Sequence, residues 1–118
     1  MSAPPWLQEQ LAKLQQAQQN LQGIVSQRQH LEMEKAETAR ASEELEKAPD
    51  DAAVYKHAGP VLVRSTKKEL AEELAERREM AETRAKVLEK QEARVKEDLK
   101  EQEEKISSMI KGQSAGST

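Results

Sequence analysis

Histidine, cysteine and paired carboxylates build most catalytic and metal sites, and this chain offers little of that kind. Its two histidines, His30 and His57, stand far apart, and there is no cysteine. A zinc site needs three or four ligands at characteristic spacing, so neither histidine has the partners for one. The 22 Asp and Glu residues are scattered through runs of Lys, Arg, Gln and Ala. Carboxylates become acid and base where a pocket shifts their pKa, whereas such runs read as solvated helix surface. No G-x-x-x-x-G-K-[ST] phosphate loop is present. The expectation is a protein with no cofactor, no metal site and no enzymatic activity.

The remaining chemistry is hydrophobic, and it sits in two places. One is the stretch VYKHAGPVLVRS at 54–65, which holds two β-branched segments around Gly59-Pro60. The other is a set of apolar residues near the two chain ends: Trp6, Leu7, Leu11 and Leu14 at one, Ile106, Met109 and Ile110 at the other. Charged residues make up 35% of the chain, with no Phe, one Tyr and one Trp. Such a composition suits long solvated helices better than an aromatic core. The net charge of −3, with both signs interspersed, gives no field for a polyanion, so nucleic acid is not an expected partner. No apolar run approaches the roughly 20 residues that span a bilayer. The start MSAPPWLQEQ lacks a basic and an apolar signal region, so a cytoplasmic chain is expected, with no membrane association.

Two helices must position these surfaces. The first is expected over 5–47, opened by Pro5 in a first turn that tolerates proline and closed before Pro49. Leu7, Leu11, Leu14, Gln18, Leu21 and Val25 follow a coiled-coil spacing. A second register, Ile24, Arg28, Leu31, Lys35, Thr38, Ser42 and Leu45, follows with a one-residue offset near Gly23, where a bend is expected. The second helix, over 67–110, opens on Thr66-Lys67-Lys68-Glu69, a capping-box sequence. Its frame is Ala71, Leu74, Arg78, Ala81, Ala85, Leu88, Glu92, Val95, Leu99, Gln102, Ile106 and Met109. Gly112 is expected to end it and leave 112–118 as a disordered tail. Glu73/Arg77, Glu82/Lys86, Glu92/Lys96 and Glu101/Lys105 are favourable i,i+4 pairs.

At about 1.5 Å per residue, each helix reaches roughly 65 Å. Equal arms on a short connector imply that the second folds back on the first. The expected fold is mainly α: one domain over 1–118, a long antiparallel two-helix coiled coil with a loop and central β-hairpin over 49–65. In the hairpin, Val54 to His57 and Val61 to Ser65 are the strands, Ala58-Gly59-Pro60 the turn. A lone hairpin is marginal in water, and Val61-Leu62-Val63 is apolar on both faces. Strands from several chains must therefore pair, with Val54, Tyr55, Gly59, Pro60, Val61, Leu62 and Val63 as the assembly element of an intersubunit hub.

The layout of helix, single hairpin and helix resembles prefoldin, and more closely its β-type subunit. DDAAVYKHAGPVLVRSTKKELAEEL at the joint and KVLEKQEARVKEDLKEQEEKI in the second arm carry the resemblance. GPVLV at 59–63 also resembles eukaryotic subunit 6 of that family, and LAKLQQAQQNLQGIVSQRQHLEMEKAET is similar to an archaeal β-type first helix. The resemblance implies an ATP-independent cytosolic chaperone of two α-type and four β-type subunits. Hairpins would form a β-barrel hub, and coiled-coil tips would hold unfolded client proteins for a group II chaperonin. The tip residues here would be Trp6, Leu7, Leu11, Leu14, Ile106, Met109 and Ile110. Leu11, Leu14 and Ile106 also fit the seam, whereas Trp6 and Ile110 fall beside it. The alternative is a coiled-coil adaptor that self-associates through its hairpin and binds a folded partner.

Overall fold

The computed structural model describes residues 3–116, with the side chains of residues 3–112. The elements are helix α1 (Pro5–Lys47), strands β1 (Val54–Ala58) and β2 (Val61–Ser65), and helix α2 (Lys67–Gly116). They form two compact units. One joins residues up to Arg28 with those from Val87 onward, and the other is Gln29–Lys86. In each unit an early part of α1 meets a late part of α2, or a late part of α1 an early part of α2. The helices are therefore antiparallel.

α1 opens where sterics permit. The Pro4 carbonyl accepts from the backbone N–H groups of Leu7 and Gln8, at 3.0 Å each, and Pro5 needs no partner for the N–H it lacks. At its other end the free carbonyls meet a cation. Lys67 Nζ donates to the carbonyls of Ala48 at 2.8 Å and Glu46 at 3.2 Å. It also pairs with Asp50 Oδ1 at 3.3 Å. A positive charge there complements the negative end of the helix dipole and ties the start of α2 to the end of α1. Asp50 and Asp51 turn the chain, with Ala52 N–H donating to Pro49 O at 3.0 Å.

The hairpin is antiparallel, pairing Val54 with Ser65 through Ala58 with Val61. β1 thus runs one residue further than the sequence suggests, and the loop shrinks to Gly59-Pro60. Gly59 has φ +62°, a conformation that only glycine adopts without strain. Glycine at the first loop position is what a type II′ hairpin turn demands. At the start of α2, Glu69 N–H donates to Thr66 Oγ1 at 3.1 Å, which is half of the expected capping box. The Glu69 carboxylate accepts instead from the Ser65 hydroxyl at 3.2 Å.

The seam corrects three expectations. α1 is one helix with one frame, because Leu7, Gln10, Leu14, Ala17, Leu21, Ile24, Arg28, Leu31, Lys35, Thr38, Ser42 and Leu45 are buried or half-buried in unbroken three- and four-residue spacing, with Trp6, Val25 and Ala39 half-buried beside it. Leu7, Leu14 and Leu21 belong to both conceivable registers. The choice falls to the one that continues into Ile24 and Leu31, which leaves Leu11 and Gln18 exposed. The offset near Gly23 disappears. In α2 the expected frame holds from Ala81 through Met109. Nearer the hairpin, Leu70, Glu73 and Leu74 are half-buried on the side that faces β1, so Ala71 and Arg78 stay exposed. Finally, α2 continues through Gly112 to Gly116. Gly112 does not take the left-handed conformation that caps a helix. A helical glycine costs only about 1 kcal/mol relative to alanine, and no proline follows. Residues 117–118 of the expected tail lie outside the described residues.

Candidate functional site

Two surfaces answer to the apolar chemistry of the sequence, one in each unit. In the hairpin unit, the ladder places Val54, Lys56, Ala58, Val61, Val63 and Ser65 on one face of the sheet, and Tyr55, His57, Leu62 and Arg64 on the other. Val61, Leu62 and Val63 are 55%, 62% and 42% exposed, and Tyr55 is 55% exposed. Both faces therefore present apolar side chains to solvent. Only the base is anchored: Val54 is half-buried, and Lys56 Nζ holds Glu73 Oε1 at 2.9 Å. Glu73 thus serves the hairpin rather than its i+4 neighbour Arg77. Beneath β1 a groove of about 540 Å³ opens between the helices, lined by Leu45, Val54, Tyr55, Leu70 and Leu74 among others.

The second surface lies in the unit with the chain ends. Ile106 is 7% exposed and belongs to the seam, while Leu7, Leu14 and Met109 are half-buried along it. Trp6 is half-buried as well. Leu11 and Ile110 stay 45% and 47% exposed. Each follows a seam residue, Leu7 or Ile106, by four positions. In an antiparallel pair those positions fall on the same side, so Leu11 and Ile110 share one edge of the unit. Of the seven apolar end residues, these two are free for another chain without cost to the seam.

Polar groups also organise this unit. Arg28 Nε donates to Glu92 Oε2 at 2.9 Å, and Nη2 reaches Oε1 at 3.5 Å. Lys96 Nζ lies 3.4 Å from the same Glu92 carboxylate. Both residues stood in the expected seam, but their pairing needed the relative register of the helices, which the frames alone do not supply. Burial pushes the Glu92 carboxyl up, but hydrogen bonds from Arg28 and Lys96 and their charges outweigh it and hold its pKa below the ordinary value. A depressed carboxyl stabilises the fold above the ordinary carboxylate range and loses that contribution as pH falls through its folded value. Arg28→Leu is therefore expected to lower the thermal midpoint of the helical signal at neutral pH, by leaving the buried Glu92 carboxylate with Lys96 as its remaining cation. The gap from the unaltered protein should close in acid. A gap that persists undiminished into strong acid would contradict the pairing.

His30 and His57 are both exposed. No cluster of three or more His, Cys, Asp or Glu among the described residues could hold a metal ion. Among the described residues, no helix is long and apolar enough to cross a membrane.

Comparison with known proteins decides the family. The family model described as prefoldin subunit matches residues 8–113. The chain belongs to the prefoldin family. It is similar to prefoldin subunit beta of Thermococcus kodakarensis, at 41% identity over 96% of this chain and 97% of that one. The crystal structure of the prefoldin beta subunit from Thermococcus strain KS-1 superposes with a TM-score of 0.80 at 41% identity, covering 92% of this chain and 95% of the other. The prefoldin beta2 subunit of the same strain gives 0.70 at 25% identity, over 77% and 97%. A prefoldin chaperone subunit is a part of an assembly, which agrees with a hairpin apolar on both faces.

Proposed function

We propose that this chain is the β-type subunit of a cytoplasmic prefoldin that holds unfolded proteins without ATP and without catalysis. Its hairpin pairs with those of neighbouring subunits in a β-barrel hub, in an assembly of two α-type and four β-type chains. The observation that carries this reading is the exposure of Val61, Leu62 and Val63 on both faces of a two-stranded sheet. Exposed apolar strand edges invite aggregation unless another chain covers them. Client capture falls to the apolar residues of the chain-end unit, chiefly Trp6, Leu11 and Ile110, with Met109 adding a soft, adaptable contact. Leu7, Leu14 and Ile106 support that surface from the seam. Release to a group II chaperonin completes the cycle.

The test is nucleotide dependence. The assembled particle should suppress aggregation of a denatured protein equally well with ATP and after ATP removal by apyrase. A clear requirement for ATP would refute the holdase reading.

A further inference from the structure

Residues 14–27, LQQAQQNLQGIVSQ, contain no charged side chain, in a protein that is 35% charged. The run lies within α1 of the chain-end unit. Leu14, Ala17, Leu21 and Ile24 turn inward to the seam, and the exposed positions are the amides Gln15, Gln16, Gln18, Gln19, Asn20, Gln22 and Gln27, with Gly23 and Ser26. Gln15, Gln18 and Gln22 recur at three- and four-residue spacing, so they share one face, and all three are exposed. That face begins at the exposed Leu11, four residues before Gln15. Among the described residues, none of these three amides bonds within the chain. Solubility does not demand such neutrality. In the same unit, α2 stays solvated with mixed charges, as in Lys96, Glu97, Asp98, Lys100 and Glu101.

We propose that this neutral amide face docks the extended, uncharged backbone of an unfolded polypeptide, continuing the apolar contact begun at Leu11. The proposal rests on the holdase reading and names what that surface recognises. A glutamine amide both donates and accepts, the complement of a peptide group that no secondary structure has satisfied. A folded protein has paired most of its buried backbone groups internally and offers this face little. Because the face is neutral, it meets acidic and basic clients without like-charge repulsion. A charged face would exclude one class or the other.

The test changes Gln15, Gln18 and Gln22 together, in three versions, to Ala, to Glu and to Lys, in the full chain assembled with an α-type subunit. Fluorescence anisotropy follows binding of two permanently unfolded probes, reduced carboxymethylated lactalbumin (acidic) and reduced amidomethylated lysozyme (basic). The Ala version keeps neutrality and favours helix, so it removes only the amides. It should bind both probes at least about threefold more weakly, the effect of losing one net hydrogen bond. The Glu version should further disfavour the acidic probe, and the Lys version the basic one. Unchanged binding by the Ala version, or equal treatment of the two probes by the charged versions, overturns the proposal. Failure of the unaltered particle to bind either probe is a different result: it defeats the holdase reading, and this inference with it.

Discussion

Replacing Val61 and Val63 together by aspartate is expected to leave a helical chain that no longer assembles. Both residues point to the same face of the hairpin, paired with Ala58 and Lys56, and both are exposed in the single chain. The substitution therefore disturbs little within the subunit. In a shared sheet the same positions become buried, and an unpaired carboxylate there meets a desolvation cost of several kcal/mol. The lost burial of two valines adds about 1.5–3 kcal/mol each. Since 1.4 kcal/mol is tenfold in association, the particle should dissociate at micromolar concentration. Circular dichroism should retain its helical signal, because α1, α2 and the Lys67 clamp on the end of α1 are untouched. Sedimentation that returns the original particle mass would show that the hairpin is not the assembly element.

The second expected result concerns capture. Trp6→Ala, Leu11→Ser and Ile110→Ser together should abolish most protection of unfolded proteins while the particle stays whole. The choice follows from exposure: Leu11 and Ile110 are the end residues that the seam leaves free, and Trp6 is half-buried beside it. Full burial against a client would contribute about 1.5–3 kcal/mol per side chain. Shifting, partial contacts reduce that to about 1 kcal/mol each, still roughly a hundredfold for the three. Ile106→Ala serves as the contrasting variant. Ile106 is buried, so its loss should cost about 2–5 kcal/mol of stability and act on capture only through unfolding. Undiminished protection by the triple variant, measured as suppressed light scattering of a denatured protein, would move capture to another surface. A groove that binds a folded partner, the adaptor alternative, would then gain.

Much of this arrangement was legible in residue order. Pro5, Pro49, the Thr66 cap and Gly59-Pro60 punctuate the chain by local sterics, and local sterics need no knowledge of the partner helix. The frame of α2 was readable because Ala81, Ala85, Leu88 and Leu99 admit one seam. α1 was harder. Its leucines at 7, 14 and 21 satisfy two registers, and only packing against α2 makes Ala17 and Gln10 seam residues while Leu11 is left outside. The Arg28–Glu92 pair is hidden for the same reason, since it joins residues 64 positions apart. Ala71 and Arg78 were misplaced because periodicity ignores the hairpin, whose strand β1 draws Leu70, Glu73 and Leu74 toward itself. Gly112 was read as a stop on residue type alone, but a helix ends at glycine only where the backbone turns left-handed.

The central claim is that this subunit is incomplete until other prefoldin chains cover its hairpin. Native mass spectrometry of the chain mixed with an α-type prefoldin subunit tests that most directly. One dominant species containing two α-type and four copies of this chain is expected, lost in the Val61→Asp, Val63→Asp variant. A spectrum with this chain as monomer or self-dimer beside unbound α-type subunit would contradict it.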